Sequence, residues 1–154
     1  MKITPVIGFG LLLTAVIAFA AQAVAPIPAA LGPAEFTDGD SIVIEEILGT
    51  SPAMEIGDRV LVRGRYTLAS QAEAKLGLSL TRTQVKVPVP ILPGSNKRVA
   101  KGSGKFELVY DVSQIGCLRA GFSSLEDGKS FGTVFFGTPE QLARVKRSPE
   151  RWIK

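Results

Sequence analysis

A strict two-residue alternation constrains this chain more than any other feature. In the run AKLGLSLTR, Ala74, Leu76, Leu78 and Leu80 alternate with Lys75, Gly77, Ser79 and Thr81. Successive side chains of a strand point to opposite faces, so this segment has one apolar face and one small or polar face. Related patterning recurs in SIVIEEIL (41–48), RVLVRGRYTL (59–68), VKVPVPIL (85–92), GKFELVYD (104–111), IGCLRAGF (115–122) and SFGTVFFG (130–137). Pro88 and Pro90 cannot donate ladder hydrogen bonds, which confines VKVPVPIL to a sheet edge or a polyproline-like connector. No helical period is sustained between Asp40 and Gly137. Seven short strands with turn signals between them predict an all-β domain over residues 38–137. The expected form is a seven-stranded antiparallel β-sandwich of immunoglobulin-like architecture, with a partly open barrel as the alternative. The paired cysteines and core tryptophan of true immunoglobulin domains are absent, since Cys117 is the sole cysteine and Trp152 lies in the tail.

The two ends differ from this pattern. Lys2 precedes the apolar run VIGFGLLLTAVIAFA (6–20), and small residues at Ala18, Ala20, Ala21 and Ala23 mark its end and the positions after it. That order is the layout of a secretory signal peptide, assigned to residues 1–23, with cleavage before Val24 and a secreted or periplasmic destination. A retained leader anchoring the chain is the alternative, because no charge intervenes between Lys2 and Glu35. Residues 24–37, rich in proline, alanine and glycine, read as an extended linker without strand periodicity. At the other end, residues 138–154 read as a short C-terminal helix and a basic tail. Thr138 is the expected N-cap, Pro139 the first helical residue and Gln141 the reciprocal capping partner. Leu142 and Val145 form the apolar stripe that would dock on the sheet.

Composition removes most enzyme chemistry. The chain has no histidine and one cysteine, which excludes histidine-based nucleophilic triads, histidine-ligated zinc and a thiolate zinc cage. It carries no nucleotide-binding fingerprint. No catalytic residue, metal ligand or cofactor site is assigned. Asp38, Asp40, Glu45, Glu46, Glu107 and Asp111 are the carboxylates that a glycosidase-type pair would draw on, yet they sit in turns or at outward strand positions. FTDGDS (36–41) resembles part of a calcium loop but lacks the downstream ligand. Cys117, within an apolar strand, is expected to be a buried structural thiol.

Charge offers one candidate surface. Removing the leader takes only Lys2 from the 18 basic residues and leaves all 14 acidic ones, a net charge of +3. That bias is too mild for a dedicated nucleic-acid binder. Arg59, Arg63 and Arg65 share one strand face, Lys97, Arg98 and Lys101 cluster in a connection, and Arg144, Lys146 and Arg147 load the tail helix. Together they form the candidate polyanion-binding set. The competing reading is a set of solvated sheet faces and lysine-protected edges.

Three motifs carry a resemblance. They are Arg63-Gly64-x-Tyr66-x-Leu68-x-Ser70, then Gly102-x-Gly104-x-Phe106-x-Leu108, then Phe131-Gly132 with Phe135-Phe136-Gly137. This pattern resembles an uncharacterised β-rich domain of exported and sigma-factor-associated proteins in planctomycete-type bacteria. Gln71 stands where histidine is common in that group, and Phe135 where tyrosine is usual. The resemblance implies an accessory or interaction domain without an assigned activity.

The resulting expectation is an exported, non-catalytic binding or structural module of the cell envelope. Its partner would be an envelope protein or an anionic polysaccharide, with the membrane involved only if the leader is retained. The alternatives are a carboxylate-dependent glycan hydrolase and a membrane-anchored regulatory ectodomain.

Overall fold

The computed structural model describes residues 23–82 and 93–147. Among these, β1 (Ala25–Pro26), β2 (Ala30–Phe36), β3 (Ser41–Gly49), β4 (Arg59–Arg82), β5 (Asn96–Asp111), β6 (Gly116–Ser123) and β7 (Ser130–Gly137) precede one helix, α1 (Pro139–Arg147). All seven strands belong to one antiparallel sheet in the order β1-β3-β4-β6-β7-β2, with β5 paired to β4. The sheet curls into a half-barrel around its core. The pairing is continuous from strand to strand, so the expected sandwich of two facing immunoglobulin-like layers gives way to one curled layer.

The two runs read separately as RVLVRGRYTL and AKLGLSLTR are one strand of 24 residues. Nothing between them breaks a strand, because Ser70-Gln71-Ala72-Glu73 contains neither glycine nor proline. Instead the ladder slips: Leu68 lies opposite Gly102, and pairing resumes with Glu73 opposite Ala100. Extra residues on one strand of a pair bend it and increase its twist. A buried carboxylate holds the bend. Asp40 Oδ1 accepts hydrogen bonds from the Ala69 and Ser70 amides at 2.7 and 3.0 Å, and Oδ2 accepts one from the Ser70 hydroxyl at 2.6 Å. The aspartate read as part of a calcium-like turn is thus a clamp between the β2–β3 turn and the middle of β4.

The proline-rich segment is also more than a linker. Ala25 and Pro26 pair with Gly49 and Leu48 of β3, and the Ile27 amide donates to Ile47 O at 3.0 Å. A few residues later Ala30–Phe36 pairs with β7. One short stretch of chain therefore touches both ends of the β3-β4-β6-β7 path. Its residues lack alternation because β2 is mostly exposed, so no buried face imposed a period. VKVPVPIL lies wholly outside the described residues, and the signal-peptide residues 1–22 lie outside them too.

The inner face holds one main core that includes Val60, Val62, Leu68, Leu76, Leu108, Leu118, Phe122 and Phe136. Phe122 stands at its centre, edge-on to Phe36 and Tyr66 and stacked on Phe131 at 5.8 Å. The motif glycines serve this packing. A Cβ on Gly64 would lie 2.1 Å from Val43 O, and one on Gly104 would lie 2.8 Å from the Tyr66 ring.

The helix follows its sequence signals closely. Thr138 N donates to Gln141 Oε1 and Gln141 N to Thr138 Oγ1, which is the reciprocal capping arrangement. The same Gln141 side chain donates to Ala53 O and Met54 O, tying the helix to the β3–β4 loop. Leu142 and Val145 form a second cluster with Cys117 and Phe135 on the outer face of β6 and β7. There burial pushes the Cys117 thiol up to about 12. Native Cys117 is therefore expected to resist thiol reagents at pH 8, where a free cysteine reacts readily. Leu142→Ala, which opens this cluster at a cost of about 2–4 kcal/mol, should speed labelling by a chromogenic disulfide at least ~10-fold. Wild-type labelling at the rate of a free thiol would contradict the buried placement.

Candidate functional site

The structure distributes the expected cationic set over two regions. Arg59, Arg63 and Arg65 line the outer face of β4 where it runs between β3 and β5, and each has a carboxylate partner. Arg59 grips Asp111 with two bonds, Nε to Oδ1 at 2.6 Å and Nη2 to Oδ2 at 2.9 Å. Arg63 lies between Glu107, 2.7 Å from Nε, and Glu46, 2.9 Å from Nη1. Arg65 pairs with Glu45 at 2.6 Å. A bulge between Ile44 and Glu46 turns two consecutive glutamates toward two arginines of the facing strand. Arg98 pairs with Glu73. Hydrogen bonds to Asp111 and to Glu107 hold the Arg59 and Arg63 guanidinium groups above their ordinary value, and the bond from Arg59 holds Asp111 below its own.

The remaining members do not join this ladder. Lys97 donates to Lys105 O at 3.4 Å, and Lys101 is exposed. Arg144 is exposed on α1, which packs against β2, β6 and β7 rather than β3 or β5. The side chains of Lys146 and Arg147 lie outside the described residues. The stripe legible in the sequence is thus one half of a set of cross-strand ion pairs. Five of the six carboxylates considered for catalysis are engaged as well: Glu45, Glu46, Glu107 and Asp111 in this ladder and Asp40 in its clamp.

A different arrangement occupies the outer face of the second half of β4. There Lys75, Gly77 and Ser79 lie opposite Ser123, Gly121 and Arg119 of β6. Alternation places all six away from the core, which takes Leu76, Leu78, Leu80, Leu118, Ala120 and Phe122 from the other face. The paired glycines leave the middle of this face low, and higher side chains stand at either end. The result is a groove of about 390 Å3. Ser95 and Asn96 at the start of β5 line it on one side, and Gly128 and Ser130 of the β6–β7 turn on the other. Leu78, Leu80, Tyr110 and Phe122, whose side chains are buried in the core, also border it.

Arg119 is the distinctive group. Its Nε donates to Ser79 Oγ at 2.9 Å, and no carboxylate pairs with it among the described residues. Burial without a counter-charge holds its guanidinium below the ordinary arginine value. Lys75, at the other end of the groove, also makes no ion pair among the described residues. No carboxylate occurs among the described lining residues. Beyond Ser79 the row continues to Thr81, opposite Cys117, whose buried Oγ1 has no hydrogen-bond partner among the described residues.

No protein-family model, curated protein or solved structure matches this chain. The motif residues behind the planctomycete-type resemblance fall at packing positions: Gly64 against β3, Gly104 under Tyr66, and Phe131 and Phe136 around Phe122. Among the described residues no helix is long and apolar enough to cross a membrane, and no group of three or more His, Cys, Asp or Glu side chains is placed to hold a metal ion.

The groove has a sequence signature of its own. In AKLGLSLTR and GCLRAGFS the outward positions are Lys75, Gly77, Ser79 and Thr81, then Cys117, Arg119, Gly121 and Ser123. Small residues and cations occur there without one acid, whereas the outward positions around Arg59, Arg63 and Arg65 face strands supplying Glu45, Glu46, Glu107 and Asp111. Charge balance between paired strands, rather than the density of cations, distinguishes this groove from the arginine ladder.

Proposed function

We propose that the chain is an exported, non-catalytic binding module of the cell envelope, and that its ligand is an anionic group held in the groove at Arg119. The observation that carries this reading is Arg119 itself, a half-buried guanidinium with a serine hydroxyl and, among the described residues, no acid paired with it. A buried cation without a counter-charge costs stability, and an anionic ligand would offset that cost. Export rests on the leader pattern of residues 1–23. The hydrolase alternative asks for two carboxylates facing one cleft, and the groove is lined by hydroxyls, amides and cations instead.

Retention on an immobilised acidic polysaccharide tests the reading. The wild-type domain should be retained at low salt and released as salt rises. Arg119→Ala should abolish retention, while the double change Arg59→Ala/Arg65→Ala should leave it within about 2-fold and shift the melting temperature by less than about 5 °C, since exposed ion pairs contribute little. Loss of retention in the double variant but not in Arg119→Ala would return the site to the arginine ladder. For export, the intact mass of protein recovered from the envelope fraction should correspond to a chain starting at Val24. A mass that includes Met1 would favour the anchored ectodomain.

A further inference from the structure

The chemistry of the groove also points to the class of anion. We propose that it binds a short acidic saccharide, seating a sugar carboxylate on the Arg119 fork and a second acidic group at Lys75, with the sugar hydroxyls over the serine and asparagine side chains between them. This rests on the binding-module reading above and deepens it.

Three features carry the assignment. The first is the type of donor on offer. The backbone amides under the groove are committed to the β4–β5, β4–β6 and β6–β7 ladders, and Leu78 N donates to Ser95 O. Phosphate sites commonly use a helix N-terminus or a nest of free amides. Here the strong donors are side chains, chiefly one planar guanidinium already oriented by Ser79. That fork pairs with two oxygens of a carboxylate or of a phosphate, and one desolvated positive charge balances the single charge of a carboxylate better than the double charge of a phosphate.

The second feature is spacing. Arg119 sits opposite Ser79, and Lys75 is four residues earlier on the same strand and face. An extended strand separates those two rows by about 13 Å, a span suited to acidic groups on neighbouring rings of a saccharide rather than to one small anion. The third is the surface between the two cations. Gly77 and Gly121 keep it flat, and Asn96, Ser123 and Ser130 border it with hydroxyl and amide groups. Such groups both donate and accept, as sugar hydroxyls do. The volume of about 390 Å3 lies within the usual range of small-molecule sites.

Calorimetry on the folded domain tests the proposal with digalacturonate, its dimethyl ester and inorganic phosphate as probes. Digalacturonate should bind, with the ester at least ~10-fold weaker because it loses the carboxylate charge and pairing, and phosphate at least ~10-fold weaker because one small anion cannot reach from Arg119 to Lys75. Arg119→Lys, which keeps charge but not the fork, should weaken binding about 10-fold, and Lys75→Ala should weaken it several-fold. Ser79→Asp supplies an internal carboxylate to Arg119. It should abolish binding while raising the melting temperature, so loss of binding cannot be ascribed to unfolding. Equal binding of the ester, or an unaltered affinity in Arg119→Lys, would overturn the carboxylate assignment, and tighter binding of phosphate would replace it with a phosphate-bearing polyol. Failure of all three probes with retention on acidic polysaccharide intact would refute the saccharide subsite and leave the binding module standing. Failure of both would refute the two together.

Discussion

Gly64→Val is expected to prevent folding at ordinary temperature, a loss of more than about 4 kcal/mol and well beyond a typical substitution. Gly64 sits in the middle of β4, opposite Ile44 of β3 and Phe106 of β5. A Cβ there would lie 2.1 Å from Val43 O and 3.0 Å from two atoms of the Phe106 ring. The ring can turn, but the carbonyl belongs to the strand backbone. Relieving the contact means separating β3 from β4, with loss of ladder bonds and of the core behind them. Gly104→Ala makes the informative comparison, because the nearest atoms its Cβ would meet all belong to the Tyr66 side chain, at 2.8–3.0 Å. It should cost about 1–3 kcal/mol, the range for overpacking that a side chain can relieve. Urea unfolding of Gly64→Ala, Gly64→Val and Gly104→Ala orders the effects. A Gly64→Ala variant as stable as wild type would show that β3 and β4 approach in a different register.

Asp40→Ala should give the second large loss, about 3 kcal/mol or more, because two amides and a hydroxyl at the β4 bend lose their acceptor together. Asp40 is 7% exposed, so water replaces the carboxylate poorly. The clamp also predicts a pH dependence. Burial raises the Asp40 carboxyl, but the bonds from the Ser70 hydroxyl and the Ala69 and Ser70 amides outweigh it and hold the group below its ordinary 3.8. A carboxyl depressed in the folded state contributes stability that is present above its unfolded value and lost as pH falls through the folded one. Wild type should therefore lose stability below about pH 4, whereas Asp40→Asn, less stable at neutral pH, should lose less over that interval. Parallel acid profiles for the two proteins would remove Asp40 as a source of the acid sensitivity.

The elements legible in the sequence are those whose residues answer to a local rule. β6 and β7 carry apolar inward positions bounded by turn residues, and α1 announces itself through Thr138, Pro139 and Gln141. What escaped depends on residues far apart in the chain. The union of two expected strands into β4 rests on Asp40, about thirty residues before the bend. β1 and β2 exist because their backbone fills places beside β3 and β7, a reason that leaves no period in APIPAALGP. The arginines of β4 were correctly placed on the outward face, but their carboxylate partners come from β3 and β5, and only strand pairing shows them to be neutralised. Arg119 was overlooked for the converse reason. It is a single cation in an apolar run, and its lack of a carboxylate partner among the described residues becomes visible only when β6 lies against β4.

The segment from Ala25 to Phe36 has a consequence for the order of assembly. It is paired with β3 at one end and with β7 at the other, so some of its contacts join residues about a hundred positions apart. The β3–β4 hairpin joins residues 11 to 26 positions apart, and β5 adds to it through pairs 19 to 52 positions apart. Docking of Ala30–Phe36 joins far more distant residues than the pairing of Ser130–Gly137 with β6, so it is expected to come later. Contacts of such long sequence separation raise the entropic cost of reaching the native topology and slow folding. Until that closure, β7 presents an unpaired edge, the surface most prone to pairing with another chain. The interval before the N-terminal strand docks is therefore the period of greatest vulnerability to aggregation in the life of this domain.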